Sequence, residues 1–183
     1  AGQQAWAQAQ LESLKIVTGF PPGGTSDAIC RRVSEKIAPS AYTKAAFVEN
    51  KTGAGGQIAV QFVRNAPADG ATVLQTPMSM LGIYPHIYKK LPYDPLKSLI
   101  DVAILGQTPY VMITAADGPY KSIRDLVTAA KAKPGEITFA SAGVGSSTHL
   151  AAEYFNQLMG IKLIHVPYKG SPEAIQDTID RKS

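Results

Sequence analysis

VTGFPPGGTSD, residues 17–27, runs from an apolar stretch into a bend made almost wholly of proline, glycine and small hydroxyl residues. Val17 sits near the end of a β-prone run over 15–18, and Thr25 or Ser26 reads as the cap of a helix over 26–37. The bend therefore joins a strand to a helix. In that helix Ala28, Ile29, Val33 and Ile37 share one face, and Pro39 stops it. A junction of this kind leaves unpaired backbone N–H groups at the helix start, where the helix dipole is positive.

The alternation continues outward from the bend without any repeat in sequence. β-rich runs at 47–49, 72–75, 102–105, 111–114, 137–140 and 163–166 alternate with helix-period stretches at 55–65, 123–132, 147–159 and 172–179. Lys133-Pro134-Gly135 closes the helix over 123–132. Such alternation predicts an α/β fold with mainly parallel sheets, whose ligands lie at the carboxyl ends of the strands. Residues 84–98, YPHIYKKLPYDPLKS, break the rhythm with three prolines and read as the passage between two α/β lobes. The lobes are then 15–100 and 101–183, after a polar tail over 1–14, and a cleft lies between them.

Composition narrows the function classes. The 183 residues are 45% hydrophobic and 17% charged, which is ordinary globular usage. No apolar run approaches the ~20 residues of a membrane helix. The net charge of +4 comes from scattered Lys and Arg with no interleaved aromatics, so no nucleic-acid partner is expected. The single Cys30 excludes an internal disulfide framework and reads as a small buried hydrophobe. Ala5-Trp6-Ala7 fits the small-x-small pattern of an export-signal cleavage site, and equally a tag-derived tail.

The loops after the strands are GFPPGGTSD (19–27), NKTGAGGQ (50–57), TPMSM (76–80) and SAGVGSSTHL (141–150). All are rich in Gly, Ser, Thr or Pro, and three lead directly into a helix, so together they form an anion cradle of N–H and O–H donors. They hold one Lys, Lys51, and no Arg, which favours a carboxylate over a polyphosphate. Nucleotide motifs fail: Ile58 and Thr148 stand where the third glycine of G-x-G-x-x-G belongs, and no P-loop occurs. No His/Asp/Glu cluster has metal-ligand spacing, and neither metal nor cofactor is expected. The alternative class is a small α/β hydrolase or transferase using Ser146 or Asp27. Against it, G-x-S-x-G is absent, and Ser146, Ser147 and His149 are neighbours on one helix start, a poor setting for a triad.

The motifs FPPGGTSD, VENKTGAGGQIA, ADGATVLQTP, PHIYKKLPYDPLKS, KAKPGEITFASAGVGSSTHLAAEYF and HVPYKGSPEAI, in that order over about 16–175, resemble those of the tripartite tricarboxylate transporter substrate-binding proteins, the Bug or TctC-like family. The resemblance implies a periplasmic solute-binding protein of the type II, two-lobed fold and no catalysis. It implies capture of a small carboxylate, such as a dicarboxylate or an aromatic acid like terephthalate, for delivery to the membrane components of the transporter. By position, it places Phe20, Pro21, Gly24, Thr25, Ser26 and Asp27 of the first loop on the ligand. From the second lobe it adds Ser141, Gly143, Ser146, Thr148 and His149. Ala54, Gly55, Thr76, Met78 and Ser79 line the remaining wall, with Tyr168 of VPYKG beside them. Met78 and Tyr84 favour an apolar or aromatic ligand body.

Members of the family continue well beyond the point where this sequence stops, DTIDRKS. Either the sequence is part of a longer chain or the chain is truncated. A truncated first lobe would lack its closing elements, leave sheet edges bare and favour self-association.

Overall fold

A computed structural model describes residues 9–180; the Ala5-Trp6-Ala7 motif lies outside them. β1 (Leu11–Thr18) is the central strand of a three-stranded parallel sheet, flanked by β2 (Thr43–Asn50) and β3 (Thr72–Gln75) in the order β2-β1-β3. Ile16 pairs with Val48 on one side and Val73 on the other. Residues 11–14, read above as tail, belong to β1, and Leu14 is buried. A strand hydrogen-bonded on both sides and covered on both faces reads as continuous apolar sequence, which is why Ile16 and Val17 are adjacent and both buried.

α1 (Thr25–Ile37) covers one face of this sheet. Cys30, fully buried, packs with Leu14 and Ile16, and Val33 and Ile37 close over them. Ala28, assigned above to this face, is exposed; the helix is rotated so that Cys30 takes the central position. Nor does Thr25 or Ser26 cap the helix. Its N-cap is Gly24, with no side-chain cap bond, and the Asp27 carboxylate accepts the Gly23 N–H at 3.0 Å instead. The opposite face is closed by α2 (Gln57–Arg64) and the short turns α3 (Ser79–Gly82) and α4 (Tyr84–Ile87). There Phe20, Val60, Met80, Tyr84 and Tyr93 form a second core cluster. Residues 84–98 are thus a structural cover as well as a connection: Tyr84 and Tyr93 are buried, and Tyr93 Oη donates to Met80 O at 2.6 Å.

The second sheet pairs β4 (Thr138–Ser141) with β5 (Ile164–Pro167) in parallel. α5 (Ile123–Ala132) precedes it, capped by the Ser122 hydroxyl, which accepts the Asp125 N–H, and it ends before Pro134-Gly135 as read from the sequence. α6 (Ser147–Met159) connects the two strands, ends on Gly160 in the left-handed conformation, and α7 (Ser171–Ile179) follows β5.

Two expected strands do not form. Residues 102–105 and 111–114 adopt no regular secondary structure, and residues 100–114 are exposed throughout, with Val102 and Ile104 both 88% accessible. Their composition is that of a buried strand, but a strand requires a hydrogen-bonded neighbour, and none of the described residues supplies one. No helix among the described residues is long and apolar enough to cross a membrane.

Candidate functional site

The first strand-end loop is built around one carboxylate. Asp27, 3% exposed, accepts from Arg31 Nε at 2.9 Å and Arg31 Nη2 at 3.0 Å, from the Gly23 amide at 3.0 Å and from Asn50 Nδ2 at 3.0 Å. Asn50 Nδ2 also donates to Phe20 O at 2.9 Å, tying the end of β2 to the loop. The Arg31 hydrogen bonds hold the Asp27 carboxyl down at about 2, against the opposing effect of its burial. Phe20 turns into the core, so these two residues shape the loop from within. Pro21 and Gly24 meet the other half of the molecule at the start of α7: a Cβ on Gly170 would stand 2.5 Å from Pro21 Cγ, and one on Gly24 3.5 Å from Pro172 Cδ. Thr25 is exposed and Ser26 half-buried on the first turn of α1.

The loop after β2 holds an unusual backbone. Gly53, Ala54, Gly55 and Gly56 all have positive φ, at 127°, 48°, 64° and 90°. Glycine adopts these angles freely; Ala54 does so at a cost of roughly 1–2 kcal/mol. The turn is held from below by Tyr84 Oη, which donates to Gly55 O at 2.9 Å, and from the side by Gly19, whose Cα lies so close that an added Cβ would be 2.5 Å from Gly56 Cα. A non-glycine residue kept in this region by its surroundings marks a place where the chain serves a site rather than its own stability.

The loop after β4 is knitted by its own hydroxyls and two imidazoles. Ser146 caps α6 by accepting the His149 N–H at 3.2 Å, and Thr148 Oγ1 accepts the Ala142 N–H at 3.2 Å. His149 Nδ1 accepts the Gly145 N–H at 3.1 Å, so the neutral ring carries its proton on Nε2, 3.7 Å from Glu153 Oε1. Buried Ser141 places Oγ 2.6 Å from His165 Nε2. The two imidazoles stack at 3.9 Å between centroids, and Phe139 stacks on His165 at 5.0 Å.

Burial, followed by the neighbouring His149, holds His165 below its ordinary value of 6.5, while Glu153 opposes them. The unfolded chain then takes up this proton before the folded one, so stability falls as pH drops below the ordinary histidine range. Urea unfolding of the wild type is expected to show a lower midpoint at about pH 5.5 than at about pH 7.5, and His165→Gln is expected to reduce that difference. An equal drop in both proteins would assign the effect to other groups.

Between these loops lies a cavity of about 240 Å³. One wall is Gly53, Ala54, Gly55 and Gly56; the other is Ala142, Gly143, Val144, Tyr168 and Lys169, with Tyr88 bridging them. Tyr88 Oη donates to Val144 O at 3.2 Å across the two halves. The amides of Ala54, Gly55 and Val144 make no hydrogen bond among the described residues. Of the residues singled out in the sequence, Ala54, Gly55, Gly143 and Tyr168 line this space. Ser141, Ser146, Thr148 and His149 stand behind Gly143 and Val144 and set their positions. The Phe20–Asp27 loop is not in the lining, because the 53–56 turn takes that wall. Thr76, Met78 and Ser79 are absent from it as well: Thr76 Oγ1 contacts Met80 Sδ at 2.9 Å, Ser79 is buried, and Met78 is 75% exposed.

Gly53, Gly56, Tyr88, Ala142, Val144 and Lys169 line the cavity without having been singled out. All six sit inside the family-like motifs of the sequence. Lys169 had its own signal, since PYKGS follows a strand and precedes a helix as three of the four loops above do.

A larger hollow of about 450 Å³ lies on the outer face of α1, among Ile29, Arg32, Val33, Lys36, Ile37 and Leu105. It is an open groove closed on one side by Leu105 and involves no strand-end loop, so the smaller cavity is the candidate site.

The cavity offers two facing turns of backbone donors, and the Ser141–His165 pair, with Oγ 2.6 Å from Nε2, stands outside its lining. Ser146 Oγ is engaged with the His149 amide and Thr148 Oγ1, and His149 Nδ1 with the Gly145 amide. Parallel sheets with a small cavity between strand-end loops define the α/β architecture of the periplasmic binding proteins. The chain superimposes on an R. palustris protein solved with adipate at a TM-score of 0.80 with 26% identity, over 97% of this chain and 58% of that one. It superimposes on the periplasmic binding protein BugD at 0.77 with 27% identity, over 93% and 56%. The profile of the tripartite tricarboxylate transporter family receptor matches residues 29–182, and the chain belongs to that family. It is 36% identical over 163 residues to the UPF0065 protein in the tcbD-tcbE intergenic region of Pseudomonas sp. (strain P51), covering 89% of this chain and 48% of that protein. The chain thus spans about half the length of the curated relatives it matches.

Proposed function

We propose that this chain carries the ligand-gripping part of a periplasmic solute-binding protein, which takes a small carboxylate into the 53–56/142–144 cavity and delivers it to the membrane components of a tripartite tricarboxylate transporter. The supporting observation is the pair of facing turns whose Ala54, Gly55 and Val144 amides have no partner among the described residues. A carboxylate accepting N–H bonds from both turns gains roughly 1.5–3 kcal/mol from each, because one partner is ionised. Three such bonds give roughly 4.5–9 kcal/mol before the entropy of association, so the roughly −8 kcal/mol of micromolar capture also draws on burial of the ligand's carbon chain. At about 240 Å³ the cavity suits a small acid, since drug-sized ligands occupy roughly 300–1,000 Å³.

Ala54, Gly55, Gly143, Val144 and Tyr168 are the contact residues in this reading. Ser141, Ser146, Thr148 and His149 hold the second turn; Pro21, Gly24, Thr25, Ser26 and Asp27 organise the junction beside it. A ligand that bonds to turns from both halves favours the arrangement in which they face each other, so binding and closure are one equilibrium. No bond is made or broken.

Calorimetry with adipate, malate and terephthalate, and with adipamide as the neutral control, tests the reading. At least one acid is expected to bind with a Kd of about 1–100 μM, and adipamide to give no heat. Equal heats for adipamide and adipate would remove the carboxylate from the argument, and silence from every acid would remove the binding function.

A further inference from the structure

We propose that Lys169 is the charge-selecting residue of the cavity, pairing with a second carboxylate at the far end of the ligand; this rests on the carboxylate-binding reading above. Among the described residues, Lys169 is the only charged one in the lining. Its backbone is fixed on both sides: the Tyr168 amide donates to Ser141 O at 3.0 Å, and its own amide to Glu173 Oε2 at 3.3 Å. Its ammonium forms no ion pair within 4.0 Å among the described residues, although Glu173 and Asp177 lie on the adjacent α7. Asp177 accepts the Tyr168 hydroxyl at 2.9 Å.

The contrast with Lys51, the other cation in the strand-end loops, is informative. Lys51 Nζ is held by Glu49 at 2.5 Å and lies over the Phe62 ring at 4.3 Å, so it is already engaged. Lys169 stands exposed on a flexible four-carbon arm, across the cavity from the Ala54 and Gly55 amides. A ligand with one carboxylate on those amides and another several carbons away satisfies both walls. A monocarboxylate of the same length leaves the ammonium to water.

The experiment compares adipate with hexanoate, which has the same chain length and one charge fewer, on the full chain and on Lys169→Gln and Lys169→Arg. Wild type is expected to prefer adipate by about tenfold at low salt, with the preference shrinking as salt screens the pair. Lys169→Gln is expected to weaken adipate about tenfold and leave hexanoate within about twofold, and Lys169→Arg to retain the preference. Thermal midpoints should match throughout, because the side chain is exposed. Adipate binding unchanged in Lys169→Gln overturns the role of Lys169 and spares the binding function. A wild type that binds neither acid overturns both.

Discussion

Tyr84→Ala, in the core beneath the 53–56 turn, is expected to destabilise the chain by about 3–5 kcal/mol. Tyr84 is 1% exposed, sits among Phe20, Val60, Met80 and Tyr93, and meets the Tyr88 ring edge-on at 5.0 Å. Truncation removes this packing and leaves a void that the backbone around 53–56 cannot fill, because Gly56 is already against Gly19. The hydroxyl adds a second role that the conservative variant isolates. Tyr84→Phe keeps the ring and removes the bond to Gly55 O, so it is expected to cost about 1–2 kcal/mol and to weaken acid binding several-fold by releasing the strained turn. Urea unfolding and calorimetry on both variants check this. Acid affinity in Tyr84→Phe equal to wild type would show that the turn keeps its shape without the phenol.

Asp27→Ala is expected to cost about 2–3 kcal/mol. The buried carboxylate accepts from a guanidinium, an amide side chain and a backbone N–H, and its loss strands the Gly23 N–H and one Asn50 donor. The cost stays below that of breaking a fully buried ion pair because the Arg31 side chain is 53% exposed and returns to water. Titration should report the same group. With the folded carboxyl at about 2 and an ordinary value of 3.8, its contribution of about 2 kcal/mol is fully present above the ordinary value and is lost as pH falls toward 2. Stability measured between about pH 5 and pH 2 should therefore fall more steeply in wild type than in Asp27→Asn. Parallel curves would contradict the assignment of this carboxylate as the organiser of the loop.

Much of the architecture was legible along the chain. The strand at 72–75 appears as read, and those near 15–18, 47–49, 137–140 and 163–166 appear lengthened or shifted by a residue or more. So do the stops at Pro39 and at Pro134-Gly135, since a proline or a glycine acts on its own backbone and needs no distant partner. The Gly/Ser/Thr loops were found for the same reason. Which of them faces the cavity was not legible. The FPPGGTSD bend carries the strongest motif, yet its Phe20 goes to the core, its Asp27 binds Arg31, and the 53–56 turn lines the cavity in its place.

The sequence by itself determined the alternation of strand and helix, the donor-rich chemistry of the loops and the family to which the chain belongs, because each is encoded in short windows of residue type. Only the tertiary structure decided that 102–105 and 111–114 remain unpaired, that His149 and His165 stack behind the second turn, and that Lys169 reaches the cavity. Those outcomes depend on which segments lie side by side, and packing between residues far apart in the chain settles that.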